Sequence, residues 1–174
     1  ASFTRQNYNL SGMDVLEYFV SKLDLARKLG DNKLYLSYAF TDKAPQTTEY
    51  NGYEGVSHST TLKYKVKNGS KNWTIQGNIF QNDYVGEGLG NSGEYLKAVY
   101  KLDRGRHTMA AGAKIKNTEY ELDTLSNDER SDHQFSLNYN HEYFISSLMQ
   151  LYLDTSYIRN QSNIEYSDEN YNYN

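Results

Sequence analysis

The sequence has no cysteine, a single proline and no long apolar run. Without cysteine there are no disulfides, no thiolate metal sites and no cysteine nucleophile. No stretch approaches the ~18 apolar residues that a membrane-spanning helix requires. Core-forming residues are scarce too: hydrophobic residues make up 37% of the 174, and the mean hydropathy is −0.85. A net charge of −4 provides no overall basic field, so nucleic acid is not expected as a partner. Tyrosine is plentiful, at 18 residues. With the threonines and isoleucines it argues against disorder, because these residues favour strands. Apolar residues this sparse are best used on one face of many strands.

The clearest local signal runs from Thr60 to Tyr84. Leu62, Tyr64 and Val66 alternate with Lys63, Lys65 and Lys67; Asn68-Gly69-Ser70-Lys71 interrupts; Trp73, Ile75, Gly77 and Ile79 then alternate with Thr74, Gln76, Asn78 and Phe80. Period-two alternation on both sides of an Asn-Gly turn predicts a β-hairpin. One of its faces is apolar and aromatic, the other lysine, glutamine and asparagine. In a soluble sheet the apolar face meets a core. In an outer-membrane barrel it meets lipid, and the polar face lines the lumen.

The same texture recurs along the chain. Residues 1–12 are polar and read as a loop or strand end. Residues 13–29 have two readings. Leu16, Phe19, Val20, Leu23, Ala26 and Leu29 sit at helical spacing, with a capping-box-like Ser11 and Asp14 and a candidate C-cap at Gly30. Phe19, Leu23 and Leu25 also share one face of a strand. The strand is preferred because a hairpin partner, residues 33–41 with Leu34, Leu36, Tyr38 and Phe40 in phase, follows at once. Further strands are expected at 94–102 (Leu96, Ala98, Tyr100, Leu102), 107–117 (Met109, Ala111, Ala113, Ile115), 133–143 (Phe135, Leu137, Tyr139, His141) and 148–158 (Met149, Leu151, Leu153, Thr155, Tyr157). Short turns fall near 30–32, 68–71, 103–106 and 144–147; long polar loops fall at 42–58, 85–93, 118–132 and 159–174. Strands of about 9–11 residues, with short turns on one rim and long loops on the other, match a transmembrane barrel.

From about Leu34 onward the chain resembles the barrel part of outer-membrane proteins that carry tetratricopeptide repeats before the barrel, such as surface lipoprotein assembly modifiers and polysaccharide-export porins. The run Tyr157-Ile158-Arg159-Asn160-Gln161-Ser162-Asn163-Ile164-Glu165-Tyr166 looks like the tyrosine, basic residue, Ser-Asn and tyrosine sequence entering an outer loop in such barrels. The resemblance implies passage of a polymer or polypeptide across the outer membrane.

Other candidate sites have plainer readings. His133 and His141 share a face but lie eight residues apart, roughly 26 Å at strand rise and too far for one metal ion. They read as interfacial histidines. Glu119, Glu121, Asp123, Asp128, Glu129 and Asp132 lack the spaced pattern of a calcium loop and read as a solvated acidic loop. Glu142 and Asp154 have polar-face parity, but no nucleophile or oxyanion site accompanies them. Gly86-Glu87-Gly88-Leu89-Gly90 lacks the Lys-Ser/Thr of a phosphate loop. Neither an enzyme nor a cofactor is expected.

The expected fold is all-β: an up-and-down antiparallel transmembrane β-barrel or barrel segment of about eight strands, in a bacterial outer membrane. The expected function is a porin-like pore or export channel. Residues 1–12 and 159–174 both read as loop sequence on one rim, so the chain is expected to be a piece of a larger barrel unless eight strands close alone. Lys63, Lys65, Lys67, Lys97, Lys101, Lys114 and Lys116 are expected to line the lumen. Tyr38, Phe40, Tyr64, Trp73, Tyr100, Tyr139, Tyr143 and Tyr157 are expected on the lipid side, forming aromatic girdles. Expected partners are outer-membrane lipid and an exported polymer or surface protein. The alternative is a soluble β-barrel or sandwich binding a ligand such as a glycan through exposed tyrosines.

Overall fold

A computed structural model describes residues 2–10, 13–45, 54–86, 90–121 and 129–163. They form one antiparallel sheet: β1 (Ser2–Leu10), β2 (Met13–Leu29), β3 (Asn32–Pro45), β4 (Gly55–Asn68), β5 (Lys71–Tyr84), β6 (Asn91–Arg104), β7 (His107–Tyr120), β8 (Arg130–Phe144) and β9 (Gln150–Ser162). Each strand pairs with its neighbours in sequence, an up-and-down order with no crossover. No helix forms among the described residues.

Residues 13–29 are a strand, and the hairpin through Asn68–Lys71 forms with Asn68 directly opposite Lys71. Gly30, Gly69 and Gly105 each begin a two-residue turn with φ of 63°, 57° and 59°. Glycine adopts this left-handed conformation without the steric penalty of a Cβ, and such turns match the twist of paired strands.

The expected run of about eight antiparallel strands forms as β2 to β9, and residues 2–10, expected as a loop or strand end, add a ninth by pairing with β2 from Ser2↔Lys22 to Leu10↔Met13. Two expectations are corrected. With an odd strand count the described ends lie on opposite rims: Ser2 toward the short turns, Ser162 toward the long loops. They do not share a rim. The strands are also longer than alternation of apolar residues indicates, at 13–17 residues from β2 onward. Polar ends such as Thr41–Pro45, Gly55–Ser59 and Arg159–Ser162 pair through their backbones although their side chains carry no apolar signal. Pro45 stands at a strand terminus, where its missing N–H costs no ladder bond. Met149 lies just outside β9, in the turn.

The register carries a steady stagger. One cross-strand row passes through Leu25, Leu36, Leu62, Gly77, Leu96, Ile115 and Phe135. From this row to the short turn is five residues at Leu25–Gly30, seven at Leu62–Gly69, nine at Leu96–Gly105 and twelve at Phe135–Ser147. The turns thus recede by about one residue per strand, always in one sense. With ~3.3 Å rise and ~4.8 Å between strands, that is a tilt of about 35°, at the low end of the range for barrels. Hydrogen bonds do not close the sheet: among the described residues β1 and β9 are its two edges, and they run in the same direction.

Candidate functional site

The two faces of the sheet differ in chemistry and in enclosure. One face is apolar. Cross-strand rows place Leu23, Tyr38, Thr60 and Ile79 together, then Leu25, Leu36, Leu62, Gly77, Leu96, Ile115 and Phe135, then Leu34, Tyr64, Ile75, Ala98, Ala113, Leu137 and Tyr157. Tyr38, Phe40, Tyr64, Trp73, Tyr100, Tyr139, Tyr143 and Tyr157 all lie on it, as their parity predicts. On β5 the apolar stretch from Trp73 to Ile79 is six steps, about 20 Å along the strand.

Ring contacts gather at the borders of this band. Toward the short turns Trp73 and Tyr100 pack with centroids 4.5 Å apart at 41°. His107 stacks on Tyr143 at 4.7 Å, and its Nδ1 lies 3.0 Å from Nε2 of His141. Toward the long loops the Tyr38 hydroxyl is hydrogen bonded to Nδ1 of His58 at 2.8 Å, and Phe40 packs on the same imidazole at 5.2 Å. His133 is hydrogen bonded to Asn117 at 2.8 Å. All four histidines sit at band borders. The His107–His141 contact escapes the sequence because its members are 34 residues apart and meet only in register. Among the described residues no cluster of three or more His, Cys, Asp or Glu could hold a metal ion.

The opposite face is polar. Lys63, Lys65, Lys67, Lys97, Lys101, Lys114 and Lys116 all stand on it, joined by Lys33 and Lys43. Across β3 to β7 these nine lysines share the face with one carboxylate, Asp103, which pairs with Lys101 at 3.4 Å. Several lysines rest on rings that sequence reading did not single out. Lys63 and Lys65 lie 5.1 and 5.5 Å from the Tyr35 centroid, Lys114 4.8 Å from Tyr95, and Lys116 5.1 Å from Phe80. The period-two count already sets Phe80 on this face, and continuing it into Tyr35 and Tyr95 finds the other two. The amide of Asn78, the side chain at the middle of β5, donates to Ser59 Oγ and Thr61 Oγ1 at 2.8 Å each and to the Thr60 carbonyl at 3.1 Å. Glu142 and Asp154 share this face, flanking Tyr152, whose hydroxyl accepts from Asn140 and lies 3.5 Å from Asp154.

Enclosure runs opposite to a soluble sheet. Along β5 and β7 the polar-face side chains are half-buried or buried while Trp73, Ile75, Ile79, Ala111 and Ile115 are exposed. The most enclosed polar residues are Asn78 and Thr118. No large side chain is fully buried among the described residues, and eighteen of the twenty-four exposed large hydrophobic residues lie on the apolar face.

At the long-loop rim a cavity of about 510 Å³ is lined by Asp83, Glu119, Glu121 and Glu129 with Arg130, which is held by Asp132 at 2.6 and 3.0 Å. The rim is therefore acidic where the face below it is basic. Of the expected acidic loop, Glu119 belongs to β7 and Asp132 to β8, while Asp123 and Asp128 lie outside the described residues, as does most of the glycine-rich 86–90 stretch. No family model matches the chain, and neither a curated protein nor a solved structure is found to be similar to it.

Proposed function

We propose that this chain builds the wall of a bacterial outer-membrane β-barrel, with its apolar face against lipid and its polar face toward an aqueous interior, and serves as a pore or export channel. The observation that carries this reading is the inverted enclosure along β5 and β7, where large apolar side chains are exposed and the polar face is half-buried or buried. Eighteen exposed large hydrophobic side chains on one face make an extended apolar surface, of the kind that marks contact with another apolar phase. Lipid would cover it. The strand stagger, the aromatic borders and the turns that are short on one rim agree with the same reading. A soluble glycan-binding sheet would need a second layer over the apolar face, and no described element covers it.

The test is site-directed spin labelling of the chain refolded into lipid vesicles. Labels at Leu62, Ile75 and Ala98 should relax with lipid-soluble oxygen. Labels at the adjacent Thr61, Gln76 and Lys97 should relax with a water-soluble nickel complex. Full solubility of a monomer without detergent, or nickel access at both sets, would defeat the reading.

A further inference from the structure

We infer that the lysine face binds multivalent anions, so that the solutes this protein handles carry clustered phosphate or carboxylate charge. As a statement about what lines a channel this rests on the membrane reading, but the anion site itself needs only the sheet. Its basis is the register. Lys28 stands opposite Lys33, and Lys33 opposite Lys65, so three ammonium groups follow one another across three adjacent strands. In the neighbouring row Lys97 stands opposite Lys114, with Gln76 between Lys97 and Lys63. Among the described residues none of these six lysines has a carboxylate partner. Like charges directly opposite in a sheet destabilise it. A soluble surface avoids this by interspersing both signs. Here acidic side chains are plentiful, 22 in the chain, yet on β3 to β7 Asp42, Asp83, Glu94 and Glu119 lie on the opposite face, and Asp103, the one carboxylate on the lysine face, pairs with Lys101. The rings of Tyr35 and Tyr95 hold Lys63, Lys65 and Lys114 in place, and cation–π contact does this without neutralising the charge. An anion with two or more charges, spanning strands ~4.8 Å apart, would relieve the repulsion between neighbouring ammonium groups.

The net charge of −4 makes the test discriminating, because overall electrostatics oppose anion binding. The detergent-solubilised full chain is titrated calorimetrically with inorganic tripolyphosphate, and with monovalent phosphate for comparison. Tripolyphosphate should bind, more weakly as salt rises. Lys63→Gln with Lys97→Gln and Lys114→Gln should weaken it by about tenfold or more, while the triple Lys→Arg variant retains it. Far-UV circular dichroism checks that each variant keeps its sheet. No binding by the wild type, equal binding by the glutamine variant, or no preference over monovalent phosphate would overturn the inference. None of these outcomes touches the spin-label result. Conversely, binding in detergent together with nickel access to the apolar face would leave the anion site standing and remove the membrane reading.

Discussion

Trp73 and Tyr100 pack against each other across β5 and β6 at the short-turn border of the apolar band, and Trp73 is the only tryptophan in the chain. Both rings have an apolar body and one polar atom, which suits the boundary between hydrocarbon and headgroups. Trp73 therefore reports its own depth. Its emission should shift to the blue when the protein inserts into vesicles. Lipids brominated near the headgroup should quench it more than lipids brominated at the chain ends. Deep quenching exceeding shallow would place this border elsewhere. Tyr100→Ala should remove about 0.5–1.5 kcal/mol of pair energy, seen as a lower midpoint in urea unfolding from vesicles.

Ala110 and Ala111 are neighbours in sequence on opposite faces of β7. Ala111 lies in the row with Tyr100 and Tyr139, and Ala110 in the row with Lys101 and Asn140. Ala111→Arg should destabilise the inserted protein by up to ~2–4 kcal/mol, less if this border lies near the interface. Ala98→Arg, nearer the middle of the band, should reach the full amount. Ala110→Arg should cost far less if its face lines an aqueous interior, where water would solvate the guanidinium. Equal costs at Ala110 and Ala111 would mean that both faces meet the same medium.

Lys33 faces Lys28 on one side and Lys65 on the other. Lys33→Glu converts two like-charge contacts into two opposite-charge ones. Each is worth roughly 0.2–1 kcal/mol, so the variant should be more stable than the wild type at low salt, and the gain should shrink as ionic strength rises. The same variant should bind tripolyphosphate more weakly. Stability gained where anion affinity is lost is the pattern expected if the cluster is kept for a ligand. A variant that is less stable at every salt concentration would argue against direct contact among the three.

What the sequence determined by itself was parity. Side chains alternate strictly along a strand, so the seven lysines and eight aromatics could be sorted to opposite faces from local spacing alone, and the register keeps every one of them on its assigned side. Turns marked by glycine were legible for the same local reason. The limits of the strands were not. The polar ends of β3, β4 and β9 and the whole of β1 are held by backbone hydrogen bonds to distant segments, and those bonds leave no periodic mark on the residues that make them. Tertiary structure also decided which residues meet. The His107–His141 contact, the Lys28–Lys33–Lys65 row and the Lys97–Lys114 pair follow from the stagger between hairpins, a property of pairing that no single segment encodes. The enclosure of the polar face belongs to the same level: alternation separates two faces but does not say which is turned inward, because that depends on how the whole sheet curves.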